Sequence, residues 1–428
     1  MVRPFPRLGG EIHCGSVPIS ELADRYGTPL YVYDLELVEE RYKAFARAFD
    51  EVNPLVAYSV KANGGLAILH RLASLGSGAD IVSLGELYRA RRAGIPAGKI
   101  VFAGVAKTVE EMRAGIHEGI YAFNVEGRGE LERLDAVATE MGARAPFAIR
   151  VNPDIHSPTP HEYTRTGHAE SKFGVPVDEA YALYRWAQGR PHLKACGIDV
   201  HIGSQILDPM PYFRALSTVA DMAADLRGMG AELRFVDIGG GFGVGYDDEP
   251  GMVIADLARA LLPLLSSTGL RLVAEPGRFI VGEAGALVTR VQYVKRAGHK
   301  TFVIVDGGMT ELIRPSHYGG YHAIEPAVES DDTGGADEVL VDVVGPICES
   351  GDFLARDRPL RIPAAGELLV VKTAGAYGFA MASNYNARRR PAEALVDRGD
   401  VYLVRRRESL EDLVRGEVIP WEGSPEGS

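Results

Sequence analysis

Two hydrophobic periods alternate along the first two thirds of the chain. From residue 34 to about 283, short unbroken apolar runs such as LVAYSV, DIVS, KIVFAG, YAFNV and FAIRVN are separated by longer segments of helical period, among them LAILHRLASLG, LGELYRARRAG, TVEEMRAGIHEG and GELERLDAVATEMG. An apolar run without alternation reads as a strand buried on both faces, and the helical segment after it supplies the crossover that parallel strands need. Adding ACGIDVHIG, LRFVDIGGG and LRLVAEPGR gives about eight such repeats over roughly 250 residues, the size of a (β/α)8 barrel. An open doubly wound sheet shares the local pattern and is the alternative.

Beyond residue 285 the helical period fades. ALVTRVQYVKR, KTFVIVDGG, EVLVDVVG, ELLVVKTAG and DVYLVRRR read as strands with turns between them. PLYVYD, before the barrel, also reads as a strand. The expected fold is therefore α/β: a TIM-like barrel over 34–283, and a second all-β domain of Greek-key or sandwich type over 284–420 that residues 1–33 join. The acidic loop ESDDTGGADE spans 329–338, and 421–428 is expected to be a disordered tail.

Composition narrows the function classes. The 428 residues carry 46 basic against 58 acidic side chains, a formal charge of -12, which argues against a nucleic-acid surface. The three cysteines, Cys14, Cys196 and Cys348, form no CxxC pair and suggest neither a disulfide framework nor a metal centre. With no signal-peptide apolar region and no uninterrupted apolar run of bilayer length, the expectation is a cytoplasmic protein with no membrane partner.

Candidate chemistry clusters where the apolar runs end. Lys61 follows LVAYSV directly, at the end of a barrel strand where active sites lie, and a lysine whose pKa is lowered by burial is a nucleophile toward aldehydes. Taken alone, a strand-end lysine more commonly reaches solvent. DIGGGFGVG at 237–245 packs Gly239, Gly240, Gly241, Gly243 and Gly245 after another strand; it fits neither GxGxxG nor a P-loop, but its backbone N–H groups suit a phosphate. AEPGR sets Glu275 and Arg278 at the next strand end, a carboxylate for a ring nitrogen and a guanidinium for an anion, although such a pair is often only a salt bridge. DVHIGSQ adds His201, able to lie flat on an aromatic ring, and Ser204, able to donate to a phosphate.

The strand-rich part supplies a second group. GPICESGD holds Cys348 and Glu349 beside a glycine-containing bend, and TAGAYGFAMASNYN holds Tyr377 among small residues. A single cysteine is usually a small core residue; the adjacent acid weakens that reading. GGMTELIRPSHYGGYH contributes Arg314, Tyr318 and His322, a set suited to a carboxylate.

Together YSVKAN, HIGSQ, GGGFG, EPGR, RPSHYGGYH, GPICESGD and AYGFAMASNYN, with TRTGHAESKFG at 164–174, resemble in order and spacing the fold-type III pyridoxal-phosphate decarboxylases, over residues 15–415. The resemblance implies pyridoxal 5'-phosphate held by Lys61 as a Schiff base, with His201 stacked on its ring, Glu275 facing the pyridine nitrogen, and Ser204, Gly241, Gly277, Arg278 and Tyr377 around its phosphate. It implies Cys348 as the second catalytic group and a head-to-tail homodimer in which Cys348 and Glu349 of one subunit complete the barrel site of the other. A carboxylate at Glu275 keeps the ring nitrogen protonated and favours decarboxylation over racemisation. Arg278, Arg314, Tyr318, Glu349 and Tyr377 are the expected substrate contacts. CESGD stands where ornithine-type enzymes show CDGxD, and Arg314 offers a cation for a distal carboxylate. The expected substrate is therefore a diamino dicarboxylate of the diaminopimelate type, with ornithine, lysine, arginine or a carboxylated polyamine as alternatives. RPSHY departs from the family's usual small residue and leucine before the tyrosine, which leaves the shape of that pocket edge open. A non-catalytic pyridoxal-phosphate carrier is the reading from another class, and the extra β domain speaks against it.

Overall fold

The computed structural model describes residues 4–155, 172–246, 250–329 and 338–421. The stretch 164–171 of TRTGHAESKFG, most of the acidic loop and residues 422–428 lie outside the described residues. The chain divides into two compact units, one made chiefly of Leu35–Ala284 with Gly375–Ala380, the other of Phe5–Asp34, Gly285–Ala374 and Met381–Ser428.

In the first unit eight parallel strands follow one another: β1 (Leu55–Ser59), β2 (Gly78–Ile81), β3 (Ile100–Phe102), β4 (Ala122–Val125), β5 (Ala145–Asn152), β6 (Leu193–Val200), β7 (Phe235–Asp237) and β8 (Arg271–Ala274). Each pairs with the next, and β8 returns to β1 through Val273 opposite Leu55, so the sheet closes. A two-residue strand, Val175–Pro176, adds to β5. Closure decides against the open doubly wound sheet.

The barrel forms because its strands carry apolar side chains on both faces while amphipathic crossovers wrap the outside. Leu69 and Leu72 on Leu66–Ser74, and Leu131 and Leu134 on Arg128–Glu140, are buried. Inside, Leu55, Ala57, Val101, Ala148, Cys196, Phe235 and Val273 form one packed cluster, so Cys196 is a core residue. Caps set the crossover starts: Thr108 and Glu111 make a reciprocal capping box on Val109–Glu118, and Ser83 caps Leu84–Arg92.

The second unit is strand-rich. Leu30–Asp34 lies between Gly285–Ala297, antiparallel with Leu30 opposite Val288, and Ala392–Asp397, parallel with Leu30 opposite Ala392. The opening segment is thus stitched into a sheet of C-terminal strands, over a core that includes Ile12, Cys14, Leu22, Val32, Val288, Val370 and Val396. A barrel plus a strand domain built from both ends of the chain is the expected fold class. Gly375–Ala380, within the strand-rich stretch, groups with the barrel. Among the described residues no helix is long and apolar enough to cross a membrane.

Candidate active site

The first unit brings Lys61, His201, Ser204, Gly241, Glu275, Gly277, Arg278 and Tyr377 to the C-terminal ends of its strands. Lys61 lies in the single turn Val60–Ala62 that ends β1. Its Nζ sits 2.8 Å from Oδ2 of Asp80, a fully buried residue of β2, and the Ser59 hydroxyl donates to the same oxygen at 2.6 Å. Burial disfavours the ammonium, but Asp80, Glu275 and Tyr377 outweigh it and hold the pKa above that of an ordinary lysine. The expectation that burial lowers this pKa is corrected: the lysine is a paired cation until something displaces Asp80 or takes up the charge.

His201 follows β6. The Gly240 N–H donates to its Nδ1 at 3.1 Å, so Nδ1 is an acceptor and the ring proton belongs on Nε2. Burial first, then Arg150 and Lys61, push its pKa well below the usual value, and the ring is neutral.

The glycine loop after β7 is shaped by close approach. A Cβ on Gly240 would lie 2.3 Å from the Glu275 carbonyl oxygen, and one on Gly241, at φ +91°, would lie 2.1 Å from the Gly203 carbonyl oxygen. The Tyr212 hydroxyl fixes the loop by donating to the Gly240 carbonyl at 2.9 Å. Beside it, Gly277 caps the short helix Arg278–Val281. Arg278 donates to the Ser204 hydroxyl at 3.2 Å and to the Tyr246 hydroxyl, and its guanidinium carbon lies 4.8 Å from the centre of the Tyr377 ring. Tyr377 itself is anchored by its N–H, 2.8 Å from the Ala62 carbonyl.

Glu275, directly after β8, is buried. Asn124 on β4 donates to its Oε1 at 3.3 Å and to Oδ2 of Asp237 at 3.2 Å. Burial and the neighbouring carboxylates of Asp237 and Asp80 raise the Glu275 pKa, which Lys61 partly opposes. Arg150 on β5, ion-paired to Glu126 at 2.9 Å, adds a buried cation nearby.

Arg314, Tyr318, His322, Cys348 and Glu349 belong to the second unit. Arg314 is buried and donates to Nε2 of His322 at 2.7 Å, while Nδ1 of that ring faces the Lys372 carbonyl at 2.9 Å. A guanidinium accepts no hydrogen bond, so Nε2 is the acceptor and the proton of a neutral His322 sits on Nδ1. Tyr318 ends the same short helix, Arg314–Tyr318. Cys348 and Glu349 are exposed. The bend that carries them is held by Asp352, whose two oxygens accept from the Met309 and Ile347 N–H groups, each at 2.6 Å. The Cys348 N–H donates to the Asn386 side chain at 3.1 Å.

Sequence reasoning missed Asp80, Asn124, Glu126, Arg150, Asp199 and Asp237. For all but Glu126, which follows its strand, a signal was present: GADIVS, YAFNV, FAIRVN, GIDVHIG and FVDIGGG each set a polar residue inside a strand buried on both faces, a placement that is costly without a partner.

These residues fit pyridoxal phosphate. A lysine amine meets an aldehyde, the loop at Gly240 and Gly241 leaves room only for backbone beside a guanidinium and two hydroxyls suited to a phosphate, and a buried carboxyl suits a ring nitrogen. Residues 35–282 match the pyridoxal-dependent decarboxylase pyridoxal-binding domain. The chain is 47% identical to the diaminopimelate decarboxylase of Pseudomonas aeruginosa, covering 97% of this chain and 99% of that protein. It is likewise 47% identical to that of Aquifex aeolicus, covering 95% of each. The crystal structure of diaminopimelate decarboxylase from Helicobacter pylori complexed with L-lysine superposes with a TM-score of 0.88 at 40% identity, covering 92% of this chain and 98% of that one. Near-half identity over almost the whole length, on a barrel whose strand ends carry this donor set, shows that the chain belongs to the pyridoxal-dependent decarboxylases.

Proposed function

We propose that this chain decarboxylates meso-2,6-diaminopimelate at its D centre, giving L-lysine and CO2, as a step of lysine biosynthesis in the cytoplasm. What carries the chemistry is Glu275, a buried carboxyl at a barrel strand end within the field of Lys61. The substrate follows from relatives named for this activity that match over nearly the full chain.

Bound pyridoxal phosphate supplies a conjugated ring into which the electrons left by departing CO2 delocalise. Lys61 would hold the cofactor through its aldehyde, and Asp80, 2.8 Å from Nζ, would pair with the lysine's ammonium whenever that amine is free. His201, neutral and held by the Gly240 N–H, would pack on the cofactor's ring. Ser204, Gly241, Gly277, Arg278 and Tyr377 hold the phosphate, with Arg278 and Tyr377 also bordering the substrate. Glu275 would hold a proton at the ring nitrogen, the condition under which the ring accepts charge.

Arg314 and Tyr318 hold the distal carboxylate and Glu349 the distal amine. Cys348 delivers the proton to the carbon that lost CO2, a general-acid role open to an S–H group. Cys348 and Glu349 come from a second copy of the chain in a head-to-tail homodimer, and their exposure supports this reading.

The test is CO2 release from diaminopimelate, lysine, ornithine and arginine side by side. Release from diaminopimelate alone is expected; preference for ornithine or arginine overturns the substrate.

A further inference from the structure

Beside Glu275 lie two acids, Asp199 and Asp237, for which the reaction above has no role. Asp199 on β6, Asp237 on β7 and Glu275 each place a carboxylate oxygen within 4.8 Å of the others, and all three are buried. The nearby cations are already engaged, Lys61 with Asp80 at 2.8 Å and Arg150 with Glu126 at 2.9 Å. Three carboxylates at this spacing, out of water and without a cation of their own, cannot all be ionised. One amide spans two of them, since Nδ2 of Asn124 reaches both Asp237 and Glu275. Asp237 also accepts from the Gly239 N–H at 2.9 Å, while Oδ1 of Asp199 has no hydrogen-bond partner.

We propose that Asp237 and Glu275 form a carboxyl pair, clamped by Asn124, that keeps one shared proton while Glu275 serves the cofactor's ring nitrogen, which makes Asp237 a positioning residue. The proposal rests on the reading that Glu275 faces that nitrogen. With its proton the pair carries one negative charge, matched to the single positive charge of a protonated ring nitrogen. Without it, two charges beside Asp199 would face one. The titratable groups around the pair are Lys61 after β1, Asp80 from β2, Glu126 after β4, Arg150 from β5 and Asp199 from β6, whose own pKa burial raises; His201 is neutral. Burial, then the neighbouring carboxylates, raise the pKa of both members, in accord with a retained proton.

The test is infrared spectroscopy of the holoenzyme against Asp237→Asn. Asparagine keeps the acceptor for the Gly239 N–H, so the loop's hydrogen bond is preserved, while the acid and the oxygen that accepts from Asn124 are removed. The expected difference spectrum at neutral pH shows the carbonyl stretch of one protonated carboxyl present in the natural protein, deuterium-sensitive, fading as pH rises and absent from the variant. No such band at neutral pH overturns the proposal. Should Asp237→Asn fail to fold, Asn124→Ser keeps both acids without the clamp and should move the pH midpoint of the band; an unmoved midpoint overturns the clamp. Removing the cofactor should also shift the band. A band that ignores cofactor removal overturns the placement of Glu275 at the ring nitrogen and leaves the shared proton standing, so the two failures are distinguishable.

Discussion

Lys61 and Cys348, the two side chains expected to make bonds and move protons, are held in opposite ways. Lys61 sits among buried acids, tied to Asp80 and felt by Glu275, so its properties are set by charges it touches. Cys348 is exposed, and the order of its bend comes from Asp352, a buried neighbour whose carboxylate clamps two backbone N–H groups. In the first region the chemistry and the framework are the same side chains. In the second they are separate, so the two should respond differently to mutation.

The largest effect is expected at Lys61→Ala, which should abolish CO2 release and the visible absorbance of lysine-bound cofactor while lowering the urea midpoint, because Asp80 loses its cation. Retained stability would break the claim that function and framework coincide there. Cys348→Ala should lower kcat by about 10²- to 10⁴-fold with the urea midpoint unchanged; a midpoint that falls with kcat would contradict the separation. Asp352→Ala, which strips the acceptor from two N–H groups, should cost about 2–5 kcal/mol in denaturant unfolding and reduce kcat as the bend loosens.

The smallest effect concerns Glu86, on the helix after β2. Burial pushes its pKa up to about 7, with Asp80 adding to the rise. A carboxyl raised above its unfolded value is stabilising in its protonated form below the unfolded pKa, and that contribution is lost as pH rises through about 7. Glu86→Gln should therefore match the natural protein near pH 4 and exceed its stability near pH 7 by at most about 3 kcal/mol, read from urea unfolding across that range. Equal pH dependence in both proteins would mean that neither burial nor Asp80 raises the Glu86 pKa.

The same contrast accounts for what the sequence made legible. Barrel strands stood out because a short unbroken apolar run between two helical segments has its natural place in a sheet covered on both faces. PLYVYD was recognisable as a strand belonging with the C-terminal ones. Lys61, His201, Glu275 and Arg278 were visible because each lies just past the end of an apolar run. Asp80, Arg150 and Asp237 were not, because they lie inside such runs, where one polar residue looks like an interruption and only the closed sheet shows that their side chains meet. Asp352 was hidden for another reason. CESGD drew attention to its thiol and first acid, and nothing local tells which of two acids turns inward to hold the bend. The direction of the Lys61 pKa shift also needed the fold, since burial alone argues for the opposite sign.

Leu30–Asp34 has one further consequence. Its two neighbours in the sheet, Gly285–Ala297 and Ala392–Asp397, are made long after it. During synthesis this apolar strand leaves the ribosome early with both edges open, whereas the barrel segment that follows can complete its pairings as one continuous piece. The second unit must then close around a strand that has been waiting, a late and non-local event of the kind that slows folding and exposes a chain to aggregation.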